Sequence, residues 1–300
     1  MTDVNIIDSF IKHLEVNKKS SLNTLAAYKR DLKLYEAYLY ECKCAVTAAS
    51  AEMIEGFKNK LTTDGKSVAT VSRCMSSVRS LYKFLCANGT TKSNPSSNIK
   101  NDKNEKKFFE VLTENEIDQL LAQPDKNDFK GMRDKAMLET LYATGMKVSE
   151  LLSLNVNDVN LPLNFVRCHG ENDSKHERIV LLYPKAVKEL EKNITGARNY
   201  FVSNNRCDAL FVNVNGDRMT RQGFWKLLKN YASDAGINKT ITPHTLRHSF
   251  AAHLLENGAD IHDIQTILGH SDISSTQVYA QFLRNKLQNS YVKFNHRAQR

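Results

Sequence analysis

The chain has 300 residues and a formal net charge of +9, with 41% hydrophobic and 25% charged residues. That length allows two domains of ordinary size, each able to bury its own core. No apolar run approaches the roughly 18–20 residues that cross a bilayer, and the N-terminus lacks the pattern of a signal or transit peptide. We therefore expect a cytoplasmic protein rather than a membrane or exported one.

The positive charge indicates a class of partner. There are 42 Lys and Arg residues against 33 Asp and Glu residues, spread along the chain without a basic tail. Cations that neutralise phosphates release condensed counterions, so this excess favours binding to nucleic acid. Charge alone fits a solvated basic surface equally well, and the motifs must decide between the two.

Cysteine and histidine spacing gives no sign of a metal site. The six cysteines include no C-x-x-C pair and no zinc-finger spacing, and most lie within apolar stretches, where a free thiol behaves as a small hydrophobe. His244 and His248 are four residues apart, but Thr245 stands where the H-E-x-x-H motif has its glutamate. We expect reduced cysteines and no metal.

Residues 1–89 are predicted to form a helical domain, because apolar residues recur at helical spacing in four successive stretches. The last two cover about 51–62 and 68–87, and Asn23 and Thr24 are predicted to cap the second. The polar face of the fourth helix carries small hydroxyls and arginines, which suit phosphate contacts and an ordinary solvated face equally well. The candidate DNA-binding residues on this face are Thr70, Arg73, Ser77 and Arg79.

Residues 90–107 differ in character from the segments on either side. They read TTKSNPSSNIKNDKNEKK, a polar and lysine-rich stretch that contains proline. Such a stretch cannot build a core, so we predict an interdomain linker here. The second domain is then predicted to span residues 108–300.

The second domain is predicted to be mainly helical with one small β-sheet, an α+β fold. Thr113 and Glu116 form a capping-box pattern at the start of one helix, and another helix is predicted over Met132–Thr144. Between about 164 and 182, two β-rich runs flank the polar stretch HGENDSKHE and predict a hairpin. The residues after the hairpin are predicted to be mostly helical.

One helix of this domain carries a cluster of polar residues suited to a phosphate. Residues 242–258 read TPHTLRHSFAAHLLENG, in which Thr242 and Pro243 suit the start of a helix. His244 and Arg247 are three residues apart, so both project from one face of the first turn. The free N–H groups and partial positive charge at that end of a helix favour a phosphate.

The next two segments complete a longer motif. A short helix over about 260–268 is followed by Gly269 and His270, and Tyr279 lies on the helical segment after them. The patterns H-x-L-R-H-S-x-A-x-x-L-x-x-x-G and L-G-H-x-x-x-x-T-x-x-Y, in this order and at this separation, resemble the tyrosine recombinase or phage integrase family, closest to its Xer-type members. The segment ATGMKVSEL, at 143–151, resembles the motif that precedes them in the family. The matching residues are His244, Leu246, Arg247, His248, Ser249, Ala251, Leu254, Gly258, Leu268, Gly269, His270, Thr276 and Tyr279.

The resemblance covers nearly the whole chain and implies both a fold and an activity. It implies an N-terminal SAM-like helical domain that binds core DNA, and a catalytic domain that cleaves and rejoins duplex DNA through a 3′-phosphotyrosyl intermediate. Tyr279 is then the nucleophile and Arg247 the clamp on the phosphate. By the same resemblance, His244 is a proton-transfer group or phosphate contact, and His270 is a second donor to the phosphate. No metal and no nucleotide cofactor are implied.

These residue types suit such a reaction on chemical grounds. A tyrosine phenolate can attack a phosphodiester and later act as the leaving group, so the step is reversible. A planar guanidinium can bind two non-bridging oxygens, where the charge of the transition state falls. A histidine can move the tyrosine proton or hydrogen-bond the phosphate.

Two positions depart from the family pattern. Lys147 stands where the family has the arginine of T-G-x-R-x-S-E, and a lysine holds one phosphate oxygen as a point charge instead of two in register. Glu171 stands where the family has the hairpin lysine that protonates the leaving 5′ oxygen, and the turn is longer by about two residues. Lys175 is then the candidate general acid, and Arg178 matches a structural arginine of the hairpin.

The departures leave alternatives open. An active recombinase is favoured because Tyr279, Arg247, His244 and His270 are present together; the alternative is a DNA-binding paralogue that has lost, or nearly lost, cleavage. A type IB topoisomerase shares the chemistry. A helical transcription regulator of another family is a further alternative, but it would require the match at 244–279 to be a coincidence.

The resemblance also implies a tetramer of one or two kinds of subunit on two DNA sites. In it, residues 283–300 either contact a neighbouring subunit or pack as a cap on their own subunit. Chromosome-dimer resolution, integration and element mobility all remain as roles.

Overall fold

The computed structural model describes residues 3–18, 20–99, 109–169, 177–202, 207–270 and 272–294, with side chains from residue 6 to residue 284. The chain separates into two units, residues 1–107 and residues 108–300. Within the described ranges, no helix is both long enough and apolar enough to cross a membrane.

The first unit consists of amphipathic helices whose apolar faces meet in one core. Ser21 begins α2: its backbone is extended, and its hydroxyl accepts a hydrogen bond from the N–H of Thr24. The predicted cap at Asn23 and Thr24 is therefore wrong, because both residues already lie inside the helix. The helices are α1 (Asp3–Val16), α2 (Leu22–Glu41), α3 (Ala51–Thr63) and α4 (Val68–Ala87), with a short 3-10 turn at Val46–Ala48.

Two buried tyrosines connect α2 to α4 in this core. The hydroxyls of Tyr35 and Tyr82 lie 2.8 Å apart, and Tyr82 donates to the carbonyl of Val46 at 2.8 Å. Tyr35 must therefore be the donor between the two rings. Each buried hydroxyl is satisfied, so the core gains apolar area from both rings without the cost of an orphaned polar group.

The second unit combines nine α-helices, in the described residues, with one small three-stranded sheet. Helix α6 begins at Phe129 instead of the predicted Met132, because Asp128 is the last residue in an extended conformation and its carbonyl accepts from the N–H of Met132. The helices are α5 (Glu114–Ala122), α6 (Phe129–Thr144), α7 (Val148–Ser153), α8 (Pro184–Lys192), α9 (Arg198–Val202), α10 (Arg221–Asp234), α11 (Pro243–Glu256), α12 (Ile261–Leu268) and α13 (Ser274–Phe294), with a 3-10 turn at Val156–Asp158 and a π-helical turn at Asn193–Ala197.

The predicted hairpin is confirmed. Strands β2 (Phe165–Cys168) and β3 (Arg178–Leu181) pair antiparallel, with Cys168 opposite Arg178. A two-residue strand, β1 (Val159–Asn160), pairs with β2 on its other side, and this strand is too short for a sequence pattern to predict. The mainly helical fold with one small sheet is therefore as predicted. The capping box of Thr113 and Glu116 at the start of α5 is also present.

Helix α11 organises the part of the unit that carries the motif. Thr242 caps it through a hydrogen bond from the N–H of Thr245, and Pro243 occupies its first turn, as the sequence predicts. Its apolar residues are buried against α6, α12 and α13. The polar residues of α11 therefore meet the ends of α6 and α12 and one side of α13.

Candidate active site

Arg247 is buried on α11, with 4% of its surface exposed. Its Nη1 donates to the carbonyl of Gly145 at 2.7 Å. Its Nη2 donates to the carbonyl of Leu268 at 2.9 Å and to Nε2 of His270 at 2.7 Å. Burial lowers the pKa of Arg247, but an arginine remains charged at neutral pH. The guanidinium is thus held by the ends of α6 and α12 before any substrate binds.

His270 lies in the turn that follows α12. Arginine can only donate, so Nε2 of His270 accepts from Arg247 and Nδ1 carries the proton directed to Oγ1 of Thr276, 2.9 Å away. Burial, followed by the charges of Arg247, Lys147 and Arg178, lowers the pKa of His270 to about 4. The imidazole is therefore neutral near pH 7, with its tautomer fixed by two neighbours.

Tyr279 lies on α13 with 1% of its surface exposed. Its hydroxyl is 2.9 Å from Nδ1 of His248, and the Arg247 guanidinium is close enough to act on the pKa of the phenol. Burial raises the pKa of the phenol, and the nearby charge of Arg247 offsets part of that rise. The structure thus brings the candidate nucleophile close to the candidate phosphate clamp.

His248 is the residue of this cluster for which the sequence predicted no role. Its ring packs on Phe109 with centroids 4.7 Å apart, and Phe109 also meets the ring of Tyr279 edge-on at 5.3 Å. Burial, followed by the charges of His244 and other nearby groups, lowers the pKa of His248 to about 4. Adjacent residues on a helix point roughly 100° apart. The position of His248 next to Arg247 in the sequence therefore could not reveal that both side chains lie near the Tyr279 hydroxyl.

Two other candidate residues are exposed at the edge of the cluster. His244 lies on the first turn of α11, with its ring centroid 6.3 Å from that of His248. Lys147 precedes α7, and its charge is close enough to His270 to lower the pKa of that imidazole. Lys175, the candidate general acid, lies outside the described residues.

A buried ion pair connects the hairpin to α7 and α12. The two terminal nitrogens of Arg178 donate to the two carboxylate oxygens of Glu150 at 3.0 and 2.9 Å, and its Nε donates to the carbonyl of Ile267 at 2.8 Å. Oε2 of Glu150 also accepts from the backbone N–H of Lys147 at 2.8 Å. Burial alone would raise the pKa of Glu150, but the hydrogen bonds and charge of Arg178 outweigh it and hold that pKa below its usual value. These contacts agree with the structural role predicted for Arg178.

Each of the two structural units matches a known protein family. A family model described as "Phage integrase family" matches residues 110–286, and one described as "Phage integrase, N-terminal SAM-like domain" matches residues 7–89. The chain belongs to the phage integrase family. The predicted resemblance is thereby confirmed.

The integrase has curated relatives that match it over nearly its whole length, named tyrosine recombinase XerD. The protein from Oceanobacillus iheyensis is 48% identical over 295 residues, 97% of this chain and 98% of the relative. The protein from Staphylococcus haemolyticus is 41% identical over 294 residues, 98% of this chain and 99% of the relative.

Solved structures share the fold of the integrase. XerH bound to a palindromic difH substrate in a post-cleavage complex is 21% identical, with a TM-score of 0.75 over 95% of this chain and 83% of that one. The Tn1549 transposon integrase with a circular intermediate DNA is 20% identical, with a TM-score of 0.75 over 93% and 95%. At these identities the likeness concerns the fold, and it confirms the predicted fold class.

Two glycines let the backbone of the integrase come close to the buried arginines. Gly145 has a φ of 57°, and a Cβ there would lie 2.2 Å from the ring of Phe250. Gly269 has a φ of 66°, and a Cβ there would lie 2.8 Å from Nη1 of Arg178. Only glycine combines this left-handed conformation with the missing side chain. Gly145 therefore positions the carbonyl that binds Arg247, and Gly269 shapes the turn that carries His270.

In the N-terminal unit of the integrase, one candidate DNA-binding residue is not on a solvated face. Ser77 is buried, and its Oγ donates to Oδ2 of Asp31 at 2.9 Å. This corrects the sequence prediction: α4 packs against α2, so the position faces a buried carboxylate on the neighbouring helix. Arg73, which is partly exposed, pairs with the other oxygen of Asp31.

The two remaining candidates of the N-terminal unit lie on α4 with partners from the same unit. Thr70 is partly exposed in the first turn, where its N–H is capped by the hydroxyl of Ser67. Nη2 of Arg79 donates to the carbonyl of Ile99 at 2.9 Å. Arg73 lines an open cavity of about 360 Å³ between α2 and α4. The described part of this unit thus offers Thr70 and Arg73 as accessible polar groups at one end of α4.

Proposed function

We propose that this integrase is a site-specific tyrosine recombinase, which cleaves and rejoins duplex DNA through a covalent bond between Tyr279 and a 3′ phosphate. The observation that carries this function is the cluster in which buried Tyr279 hydrogen-bonds His248 while the charge of buried Arg247 acts on the pKa of its phenol. Relatives named tyrosine recombinase XerD, which match nearly the whole chain, support the same reaction.

The phosphodiester is attacked by the phenol oxygen of Tyr279, and the transition-state charge falls on the non-bridging oxygens. Arg247 is the clamp for that charge, because its guanidinium is already oriented by two backbone carbonyls and needs little reorganisation. His270 orients the same guanidinium through Nε2, and it becomes a second donor to the phosphate once that nitrogen takes up a proton. His244, exposed at the start of α11, adds a further contact there.

The leaving 5′ oxygen needs a proton, and Lys175 is the proposed donor. Its assignment rests on the sequence, as the lysine of the hairpin turn. Lys147 is proposed to hold one oxygen of the phosphate as a point charge. Its main chain is tied to the Glu150–Arg178 pair, which gives it a defined position despite its exposed side chain. This positioning favours the enzyme over a paralogue that only binds DNA.

Duplex DNA is the proposed partner, and two such DNA sites are expected to be held by a tetramer. XerH and the Tn1549 integrase have been solved in complexes with DNA, and these complexes support duplex DNA as the ligand. Thr70, Arg73 and Arg79 are the proposed phosphate contacts of the N-terminal unit. Residues 283–300 are the proposed contact with a neighbouring subunit, and their side chains beyond Arg284 lie outside the described residues. The cytoplasm remains the expected location.

Covalent trapping on nicked DNA tests the proposed function. Duplexes that bind the Tyr279→Phe variant are first selected from a random-sequence pool and then nicked next to the cleavage position, so that the cut strand is lost and the adduct accumulates. We expect a protein–DNA adduct from the wild type and none from Tyr279→Phe. Tight binding with no adduct from the wild type would favour the DNA-binding paralogue instead.

Lys147→Arg should raise the single-turnover cleavage rate by about tenfold, because a guanidinium can hold two phosphate oxygens where an ammonium holds one. The gain corresponds to roughly one charge-assisted hydrogen bond in the transition state. The rate is measured from adduct formation on the same nicked duplex. Lys188→Arg, at an exposed position on α8, is the matched control and should leave the rate unchanged. A slower Lys147→Arg enzyme would mean that the site is built around lysine.

A further inference from the structure

The hydrogen bond between Tyr279 and His248 indicates the direction of the phenolic proton. Arg247 acts on the phenol as a neighbouring cation, and it carries only donors, so it cannot take the phenolic proton. The hydroxyl proton is then directed to the other neighbour, Nδ1 of His248, at 2.9 Å. This direction requires the tautomer of His248 with its proton on Nε2. A half-buried acceptor therefore lies within direct reach of the proton that Tyr279 must lose in order to attack.

The surroundings of His248 keep it available as an acceptor. Phe109 covers one face of its ring, and Tyr279 closes one edge. The titratable and charged groups that face it are His244 and Arg247 on α11, His270 in the turn after α12, and Tyr279 on α13. Among these described neighbours none is a carboxylate and Arg247 is charged, so the imidazole of His248 remains neutral at physiological pH.

We propose that Nδ1 of His248 accepts the phenolic proton of Tyr279 as the phenol oxygen bonds to phosphorus. The proposal rests on the function proposed above and assigns its proton acceptor. His244 stands elsewhere: it is exposed, and within the described residues its side chain makes no hydrogen bond to Tyr279. His244 is therefore assigned to a contact with the phosphate.

The step balances in both directions. The O–H bond of Tyr279 breaks, its electron pair forms the bond from the phenol oxygen to phosphorus, and the proton makes His248 an imidazolium. The bond from phosphorus to the 5′ oxygen breaks, and that oxygen takes a proton from the separate acid on the hairpin. On rejoining, the 5′ hydroxyl attacks, its proton returns to the hairpin group, and His248 returns its own proton to the departing phenolate. The phosphate brought by DNA stabilises the imidazolium, which the apo site disfavours.

Substitutions at His248 and at Tyr279 together distinguish a histidine that accepts the proton from one that only positions the phenol. In His248→Asn, the amide oxygen can take the place of Nδ1 as a hydrogen-bond acceptor but cannot take up a proton. We expect this variant to form the adduct about 10²-fold more slowly on the nicked duplex, the usual scale for a lost general base. Replacing Tyr279 by 3,5-difluorotyrosine, whose phenol is more acidic, should then recover at least a tenth of the lost rate and flatten the pH dependence. The same replacement should change the rate of the otherwise wild-type enzyme much less.

Three results would overturn the assignment of His248. One is a His248→Asn rate equal to that of the wild type, and another is a slow variant that the fluorinated phenol does not rescue. His262→Asn, at an exposed histidine on α12, is the matched control, and a loss there as large as at His248 would be the third. In each case wild-type adduct formation would leave the recombinase function intact. The absence of any wild-type adduct would instead overturn the function and this assignment together. Thermal unfolding of each variant checks that the fold is retained.

Discussion

Replacing Arg247 with lysine should lower the single-turnover cleavage rate by about 10³-fold, with much smaller effects on DNA affinity. The guanidinium makes three described hydrogen bonds, to the carbonyls of Gly145 and Leu268 and to His270, while also lying close to Tyr279. An ammonium can replace at most part of this set and cannot hold two phosphate oxygens in one plane. The loss of one preorganised donor at a developing oxyanion typically costs about 10²–10³ in rate, and here the clamp and the orientation of the nucleophile change together.

The rate of adduct formation on the nicked duplex measures the effect of Arg247→Lys, and filter binding measures the affinity for the intact duplex. Arg221→Lys is the matched control, since Arg221 is exposed at the start of α10, outside the cluster. We expect this control to cleave at the wild-type rate. An Arg247→Lys enzyme within about threefold of the wild type would show that the charge at this position suffices, and the clamp would have to be sought at His270 or Lys147.

The sequence predicts best those features that depend on neighbouring residues. The cap at Thr242, the first-turn proline at Pro243 and the capping box of Thr113 and Glu116 each involve residues at most three positions apart. Two β-rich runs on either side of a polar turn predicted the hairpin. Where local signals compete, the prediction failed: Ser21 caps α2, although Asn23 and Thr24 are equally good capping types.

The features that the sequence could not provide are contacts across long separations. The hydroxyl of Tyr279 meets a histidine 31 positions earlier, and Arg247 binds a carbonyl 102 positions away. Neither contact has a periodic signature, because each depends on how α6, α11 and α13 are packed. Ser77 shows the same limit in the first unit, since a serine on a polar helix face gives no sign of the buried carboxylate that it binds on α2. A family motif identifies which residues matter, whereas the structure shows which atoms they touch.

Arg178→Met should destabilise the catalytic unit by about 3–5 kcal/mol, the usual cost of leaving one member of a buried ion pair without its partner. The side chains of Arg178 and Glu150 are 13% and 6% exposed, so little solvent screening weakens their bidentate contact. Within the described residues, the variant leaves the buried Glu150 carboxylate with a backbone N–H as its one donor, and methionine fills much of the arginine's volume. The carbonyl of Ile267 loses its partner as well, so the turn that carries His270 is loosened and the cleavage rate should fall too.

The loss of stability in Arg178→Met should shrink as the pH falls from about 7 to about 5. In the wild type the folded pKa of Glu150 lies below its unfolded value of 4.5, so the carboxylate stabilises the fold above that value and loses this effect as the pH falls through the folded pKa. Without Arg178, burial becomes the main influence on Glu150 and raises the pKa of its carboxyl in the folded state. Folding of the variant then takes up a proton, and the variant becomes relatively more stable in acid.

Urea unfolding followed by tryptophan fluorescence measures the effect of Arg178→Met in the full chain. Trp225 on α10 is the only tryptophan, so the signal reports the catalytic unit alone. The double variant Arg178→Met/Glu150→Gln is the matched control: it removes the buried charge but retains an oxygen that can accept from Lys147. It should recover roughly 2 kcal/mol and lose the pH dependence, because the penalty arises from an uncompensated carboxylate. A double variant no more stable than Arg178→Met would instead assign the cost to lost packing at the end of β3.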